Sequence, residues 1–427
     1  MHLIAKKALI LQSKERINLK SYQENMNNIS IYTLTSELHD VHAVSAATQD
    51  FLESLNIQFD LKDDNYTDFG ESPLSLIYVR TGGTEGIFRR LLPQLQHNSK
   101  KPIYLLTSGK SNSLAASLEI LSYLRQQGLQ GEVIHGTTER ISHRIQLLEQ
   151  VGLAMQKLQG SRIGVVGKPS DWLISSQANY EAVKEKLDID IIDIPMQELL
   201  DLIKQTPLEE VGSLKAKAET ENIQEALPGA EQIYHALKQL ACQYQLQGLT
   251  IRCFDLLTAV RNTGCIALAK LNSEGIVSGC EGDIPTLLAM MLTNAVTGLS
   301  GFQANPAHID PEAGEIKVAH CTIPLNMVER FELDTHFESG IGVGIRGFMA
   351  NGPVTIFKVS GNLSRHFIAE GQLLRSEGKP DLCRTQQIIR LSDPQQMRYF
   401  LTDPIGNHHV IMPGHHKEVL EELLQSL

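Results

Sequence analysis

The chain has 427 residues, 42% hydrophobic and 20% charged, with 38 basic against 49 acidic side chains and a net charge of −11. That length exceeds one ordinary core and predicts two or three domains. The acidic balance argues against nucleic acid and against an anionic membrane surface as partners, and 5% aromatics leaves few rings to stack single strands.

The chain opens MHLIAKKALILQSKER, where charge interrupts every apolar run, so no signal peptide is expected. No stretch approaches the ~20 apolar residues of a membrane span. SLIYV (75–79) and PIYLL (102–106) read as buried parallel strands, each followed by a turn and a helical pattern. The second of those helices ends on Gly128, as a C-cap should. EVIHG (132–136) is the next strand, and the βαβ rhythm predicts an open, mostly parallel sheet. RIGVVG (162–167) starts a second α/β unit, continued by strands at 189–194 and 249–254. Between those two strands, LKAKAETENIQEALPGAEQIYHALKQLACQYQL reads as long helices divided at Pro228 and Gly229. After about residue 300 glycine becomes frequent and β-like runs dominate: GPVTIFKVSG (352–361), HFIAEGQLL (366–374) and QQIIRL (386–391). The expected fold is α/β: an N-terminal open parallel-sheet domain over 1–160, a second over 161–298, and a mostly β C-terminal domain over 299–427.

The six cysteines, Cys242, Cys253, Cys265, Cys280, Cys321 and Cys383, form no C-x-x-C pair. Neither a zinc ribbon nor a disulfide framework is predicted, and a reducing cytoplasm is expected. Glycine-rich turns offer three candidates. TSGKSNS (107–113) contains G-K-S, but Tyr104 stands where a phosphate-binding loop needs its first glycine. GIGVGIRG (340–347) lies in the β-rich part rather than at a strand-to-helix turn, which argues against a dinucleotide site. TGGTEG (81–86) follows a strand and opens a helix, where backbone N–H groups could hold an anion, although a tight turn of a doubly wound sheet accounts for it as well.

The richest segment is SGCEGDIPTLLAMMLTNAVTGLSGFQANPAHIDPE, residues 278–312. Asp283 is a suitable N-cap, with Pro285 in the first turn. Glu281 stands just before the apolar helix, where a carboxylate can hold a metal or act as a base. Asn305, His308, Asp310 and His320 follow, and four histidines crowd GNHHVIMPGHH (406–416).

The order "CEGD, apolar helix, TG, F-Q-A-N-P" resembles the metal-site segment of the L-fucose isomerase and L-arabinose isomerase superfamily, whose members interconvert aldoses and ketoses with bound Mn²⁺. FESGIGVGIRGFMANGPVTIFKVSGNLSRHFIAEGQLL resembles the C-terminal strand pair of the fucose isomerases, and GNHHVIMPGHH their final histidine segment. The likeness covers recognisable pieces of residues 250–427; the N-terminal half agrees only in architecture. The resemblance implies a set of ligands to one divalent ion: Glu281, Asn305, His320 and His408. Asn305 occupies the place of the family's second carboxylate, an aspartate, so it offers an oxygen but neither charge nor proton. Asp283 and Asp310 are the two acids that could substitute for that carboxylate, and Glu281, Asn305 and Asp283 form the candidate catalytic set. Asn407 and His409, beside His408, are expected to touch substrate, together with Thr84 and Glu85. Where the family usually carries a pocket tyrosine, this chain has the glycines of GIGVG.

By the same resemblance the active site lies between the second and C-terminal domains. A neighbouring subunit's N-terminal domain completes it, through TGGTEG or SGKSN, which predicts a homo-oligomer, trimer or hexamer. The implied reaction is isomerisation of a pentose, a 6-deoxyhexose or a related sugar through an enediol. Asn305 leaves a second reading open, a catalytically altered relative that binds a sugar or polyol as a sensor or accessory protein; a metal-assisted hydrolase or lyase is a third.

Overall fold

The structure, a computed structural model, describes residues 27–98, 101–208 and 212–427. The opening segment read for a signal peptide lies outside the described residues. The chain divides into two compact units after Leu153.

In the first unit, β1 (Ile29–Leu34), β2 (Asp60–Asp63), β3 (Leu74–Val79), β4 (Ile103–Leu106) and β5 (Gly131–Ile134) form one parallel sheet in the order β2-β1-β3-β4-β5. Alternate side chains of each strand feed opposite faces. Tyr32, Leu34, Ile77, Val79 and Leu105 pack with Phe88, Leu92, Ile120 and Leu124 of the helices Glu85–Asn98 and Ser113–Gln126. Ile29, Ile31, Leu76, Tyr78 and Leu106 pack with Leu52, Ile141 and Ile145 of the helices Val41–Ser54 and Thr138–Leu158. Strands buried on both faces need apolar residues at nearly every position, which is why they read as continuous runs.

The second unit contains a parallel sheet and a barrel. β6 (Arg162–Val166), β7 (Asp190–Ile194), β8 (Gly248–Ile251) and β9 (Val277–Gly279) lie parallel in the order β7-β6-β8-β9. The helix Ile284–Thr297 follows β9 and is buried along its first ten residues, as an all-apolar sequence requires. Six antiparallel strands then close into a barrel: β10 (Phe302–Asp310), β11 (Glu315–His320), β14 (Gly352–Val359), β15 (His366–Glu377), β16 (Thr385–Leu391) and β17 (His409–Pro413). Pairing of β10 with β17 closes the ring and removes the open edges a sheet would leave. Phe302, Ile316, Val318, Ile356, Ile389 and Ile411 share its core. A separate hairpin joins β12 (Arg330–Asp334) to β13 (Gly344–Phe348).

One element departs from expectation. Pro228 and Gly229 do not divide a helix pair; a single helix runs Glu221–Tyr244 through both. Tertiary packing outweighs the proline, because Ala230, Ile233, Tyr234, Leu237 and Leu240 are all buried on one side. Gly229 is there for closeness: a Cβ would stand 2.7 Å from Asn262 Nδ2. That same nitrogen donates to Ala226 O at 2.7 Å and fastens the helix at the proline turn.

Candidate metal centre

Parallel α/β sheets gather ligands at the C-terminal ends of their strands. In the second unit the ends of β6, β8 and β9 lead into the turns 167–173, 252–254 and 280–283. β9 hands over to the helix Ile284–Thr297 through Cys280-Glu281-Gly282, and the turn is tight. Glu281 has φ +64° and Gly282 φ +71°. Holding a glutamate in the left-handed region costs about 1–3 kcal/mol, a strain typical of functional turns. Gly282 admits no side chain, since a Cβ would lie 2.6 Å from Lys168 O and 2.8 Å from Pro169 Cα. Ser170 N donates to Glu281 O at 2.9 Å, clamping the two turns together.

The barrel supplies the other side. His320 ends β11, and His408 immediately precedes β17. His320 Nε2 and His408 Nε2 each lie 3.6 Å from Glu281 Oε1. Ligand atoms offered by the three residues fall within 4.8 Å of one another, and all three side chains are buried. His408 is fully buried; its Nδ1 donates to Asp283 Oδ2 at 2.8 Å, and its Nε2 has no hydrogen-bond partner. Asp283 thereby holds the Nδ1–H and the ring orientation and leaves Nε2 directed at Glu281 Oε1, where it carries a proton or, once that proton is lost, a lone pair. When His408 is unprotonated, Nε2 and Glu281 Oε1 are two donors 3.6 Å apart that one cation can share. Bonds of ~2.1 Å to one ion place neighbouring ligand atoms ~3.0–3.4 Å apart, and each Glu281–histidine separation of 3.6 Å exceeds that by only a few tenths of an ångström. The donor set, one carboxylate and two imidazoles, suits a divalent transition ion.

The electrostatics agree. Burial alone would raise the Glu281 carboxyl, but His320 and His408 beside it hold it well below its usual value. Burial likewise opposes ionisation of Asp283, yet Lys358 and His408 keep it ionised. Lys358, itself buried, sits 3.7 Å from Asp283 Oδ2 and donates to Thr286 Oγ1 at 2.7 Å. Burial lowers the His408 pKa, and the carboxylates Asp283 and Glu281 more than reverse this, raising it to about 9.

Asp283 is fully buried; Oδ1 accepts from Thr286 N at 2.9 Å as a helix cap, and Oδ2 accepts from His408. Both oxygens are thus occupied inside the protein. Asn305 lies opposite Ala319 on β11, one residue from His320, and Asn407 Nδ2 donates to its Oδ1 at 2.9 Å. It shares a strand face with Gln303, whose amide bonds both the N–H and the C=O of Cys280. The amide pair Asn305–Asn407 thus joins β10 to the residue that precedes His408. His409 turns the other way: Nδ1 donates to Asn407 O, and Nε2 accepts from Tyr399 Oη at 3.0 Å. Burial, with Lys358 nearby, pushes its pKa down to about 3. His415 lies 3.5 Å from Glu370, and His416 Nε2 bonds Pro413 O at 2.8 Å.

Thr84 and Glu85 belong to the first unit. Thr84 is fully buried and its hydroxyl donates to Thr81 O at 3.1 Å. Glu85 lines a cavity of about 420 Å³ with His39, Gly82, Gly83, Ser111 and Asn112, at the C-terminal ends of β1, β3 and β4.

Two contacts have no precedent in the sequence reading. Trp172 Nε1 donates to Glu281 Oε2 at 2.7 Å, and Lys358 stands behind Asp283. A lone tryptophan 109 residues from its partner carries no local pattern; being the only one in the chain was the sole signal.

No family model matches the chain. It is similar to the sulfoquinovose isomerases of Priestia megaterium and Priestia aryabhattai, each 24% identical over 263 residues covering 58% of this chain and 59% of the relative. It is also similar to the sulfoquinovose isomerase of Clostridium sp., 25% identical over 195 residues, 43% of this chain and 42% of that protein. This chain spans about 59% of the length of the first two relatives it matches. Among the described residues no helix is long and apolar enough to cross a membrane.

Proposed function

We propose that this protein is a metal-dependent aldose–ketose isomerase acting on a sugar. The observation that carries the proposal is the convergence of Glu281, His320 and His408, with a buried, partnerless His408 Nε2 aimed at the Glu281 carboxylate. The likeness to sulfoquinovose isomerases supports the reaction class and adds sulfonated hexoses to pentoses and 6-deoxyhexoses as candidate substrates.

Glu281, His320 and His408 would hold the ion, Mn²⁺ in our proposal, with Asn305 as a neutral oxygen donor beside them. A divalent ion bound there supplies Lewis acidity to adjacent sugar oxygens. The remaining chemistry belongs to the chain. The Glu281 carboxylate takes the C–H proton next to the carbonyl of the open-chain sugar and returns it to the adjacent carbon, while the hydroxyl proton passes to the carbonyl oxygen through solvent water. Asp283 acts through His408, holding its tautomer, and not on the substrate. The amides of Asn305 and Asn407 orient hydroxyl groups by hydrogen bonding, and neither can transfer a proton. His409 steadies the turn that presents His408, because both of its nitrogens are bonded within the protein. We further propose a homo-oligomer, trimer or hexamer, working in the cytoplasm, with the turn carrying Thr84 and Glu85 in one chain contacting the sugar held by its neighbour.

Deuterium incorporation tests the reading. The protein is incubated with Mn²⁺ in D₂O and a panel containing sulfoquinovose, L-fucose and L-arabinose, and label at C1 or C2 is read by NMR. Exchange that disappears in Glu281→Gln is the expected result. The Asn305 amide favours one other reading, a sugar-binding protein without turnover; metal binding with no exchange across the panel would support it.

A further inference from the structure

A half-exposed indole stands beside a buried, charged cluster. Trp172 is 50% exposed, yet its Nε1 is committed to Glu281 Oε2 at 2.7 Å. Its ring meets Phe254 edge-on, centroids 4.8 Å apart at 78°, and Phe254 meets His336 in the same manner at 5.5 Å and 81°. The turn that carries Trp172 is fastened from several sides. Arg252 Nη1 donates to Pro169 O at 2.8 Å, Arg252 Nη2 lies 2.6 Å from Asp171 Oδ2, and Ser170 N donates to Glu281 O. The indole is therefore positioned, half exposed, against a buried carboxylate.

A large apolar ring left half in water forgoes the stabilisation that burial would bring, about 25 cal/mol per Å². Ligand sites are commonly built with an aromatic wall and a few fixed polar groups. A sugar offers the matching chemistry, an apolar face of C–H groups with hydroxyls at its edge. The indole itself has an apolar face and one polar tip, and here the tip is bonded to the candidate ligand.

Resting on the isomerase reading above, we propose that Trp172 has two tasks. Its N–H holds the outer oxygen of Glu281, leaving Oε1 directed at the two histidines. Its exposed part, beside the partly exposed Phe254, receives the C–H face of the carbohydrate, with the buried His336 backing Phe254. The first task makes Trp172 a positioning residue for the metal; the second makes it a substrate contact that weighs sugars by the shape of their apolar face.

Because Trp172 is the only tryptophan, emission from the unmodified protein reports on it alone. Mn²⁺, a paramagnetic quencher, is titrated first, with Mg²⁺ as the diamagnetic comparison; the sugars of the exchange panel are then added to the Mn²⁺-loaded protein. Saturable quenching by Mn²⁺, followed by a blue shift with the sugar that exchanges, is expected. Trp172→Phe keeps a ring and removes the donor, so its metal affinity falls roughly 10-fold while KM for the sugar changes little. Trp172→Leu loses both, and KM rises as well. Unchanged metal affinity in Trp172→Phe overturns the positioning task. An unmoved emission spectrum with a sugar that demonstrably exchanges overturns the substrate contact. Neither result touches the isomerase reading, which fails instead if the unmodified protein binds no Mn²⁺ or exchanges no sugar; the present inference then falls with it.

Discussion

Protons and a divalent ion compete for His408. Asp283 lies 2.8 Å from Nδ1 and Glu281 3.6 Å from Nε2, and although burial works the other way these carboxylates raise the His408 pKa to about 9. The sign follows. The folded value lies above the ~6.5 of an unfolded histidine, so protonation stabilises the metal-free fold below that pH, and this contribution is lost as pH rises through about 9. Metal binding runs in the opposite sense, because Nε2 must be unprotonated to ligate. pH 7 lies about two units below that pKa, so displacing the proton costs about 3 kcal/mol, on the order of 100-fold in affinity. Mn²⁺ affinity should therefore climb close to tenfold per pH unit between pH 7 and 8.5. Calorimetry in two buffers of different ionisation enthalpy should find nearly one proton released per ion at pH 7. In Asp283→Asn the climb should flatten, since the nearer carboxylate is gone. An affinity that stays constant from pH 7 to 8.5, with no proton released, refutes the reasoning.

Two substitutions probe the turn and the amide. Gly282→Ala should destabilise the protein by about 2–4 kcal/mol, read as a lowered denaturant midpoint, because φ is +71° and the new Cβ meets Lys168 O at 2.6 Å; a midpoint within error of the unmodified protein would contradict the geometry. Asn305→Asp should tighten Mn²⁺ binding at least several-fold by adding a charge against Asn407, the neighbour of His408, measured by calorimetry, and weaker or equal binding would show that Asn305 does not face the ion.

Much of the architecture is legible locally. SLIYV, PIYLL and RIGVVG are strands buried on both faces, so an apolar run after a turn signal suffices to find them. Asp283 as a cap is legible for the same reason: its partner, Thr286 N, is three residues away. The barrel is another matter. That its C-terminal part is β shows in the glycine and β-branched runs, but closure depends on Ala304 pairing with His409 across the chain, a long-range choice that no window contains. Pro228 misleads because a helix interior normally rejects proline, and here the packing of Ile233, Tyr234 and Leu237 prevails. At the site, Glu281, His320 and His408 were named through a resemblance of motif order, not through spacing. Trp172 and Lys358 had neither motif nor proximity to announce them. The exhausted bonding of Asp283 and His409 was equally invisible, since an acid or a histidine in sequence does not show which way its atoms face.

The claim on which the rest depends is that Glu281, His320 and His408 meet around one ion. The most direct test is Mn²⁺ binding by calorimetry, with elemental analysis of the dialysed protein, for the unmodified chain and for Glu281→Gln, His320→Gln and His408→Gln. One ion per chain, with affinity lowered at least 100-fold by each substitution while the fold survives by circular dichroism, is the predicted result. Undiminished binding in two of the three substituted proteins would contradict it.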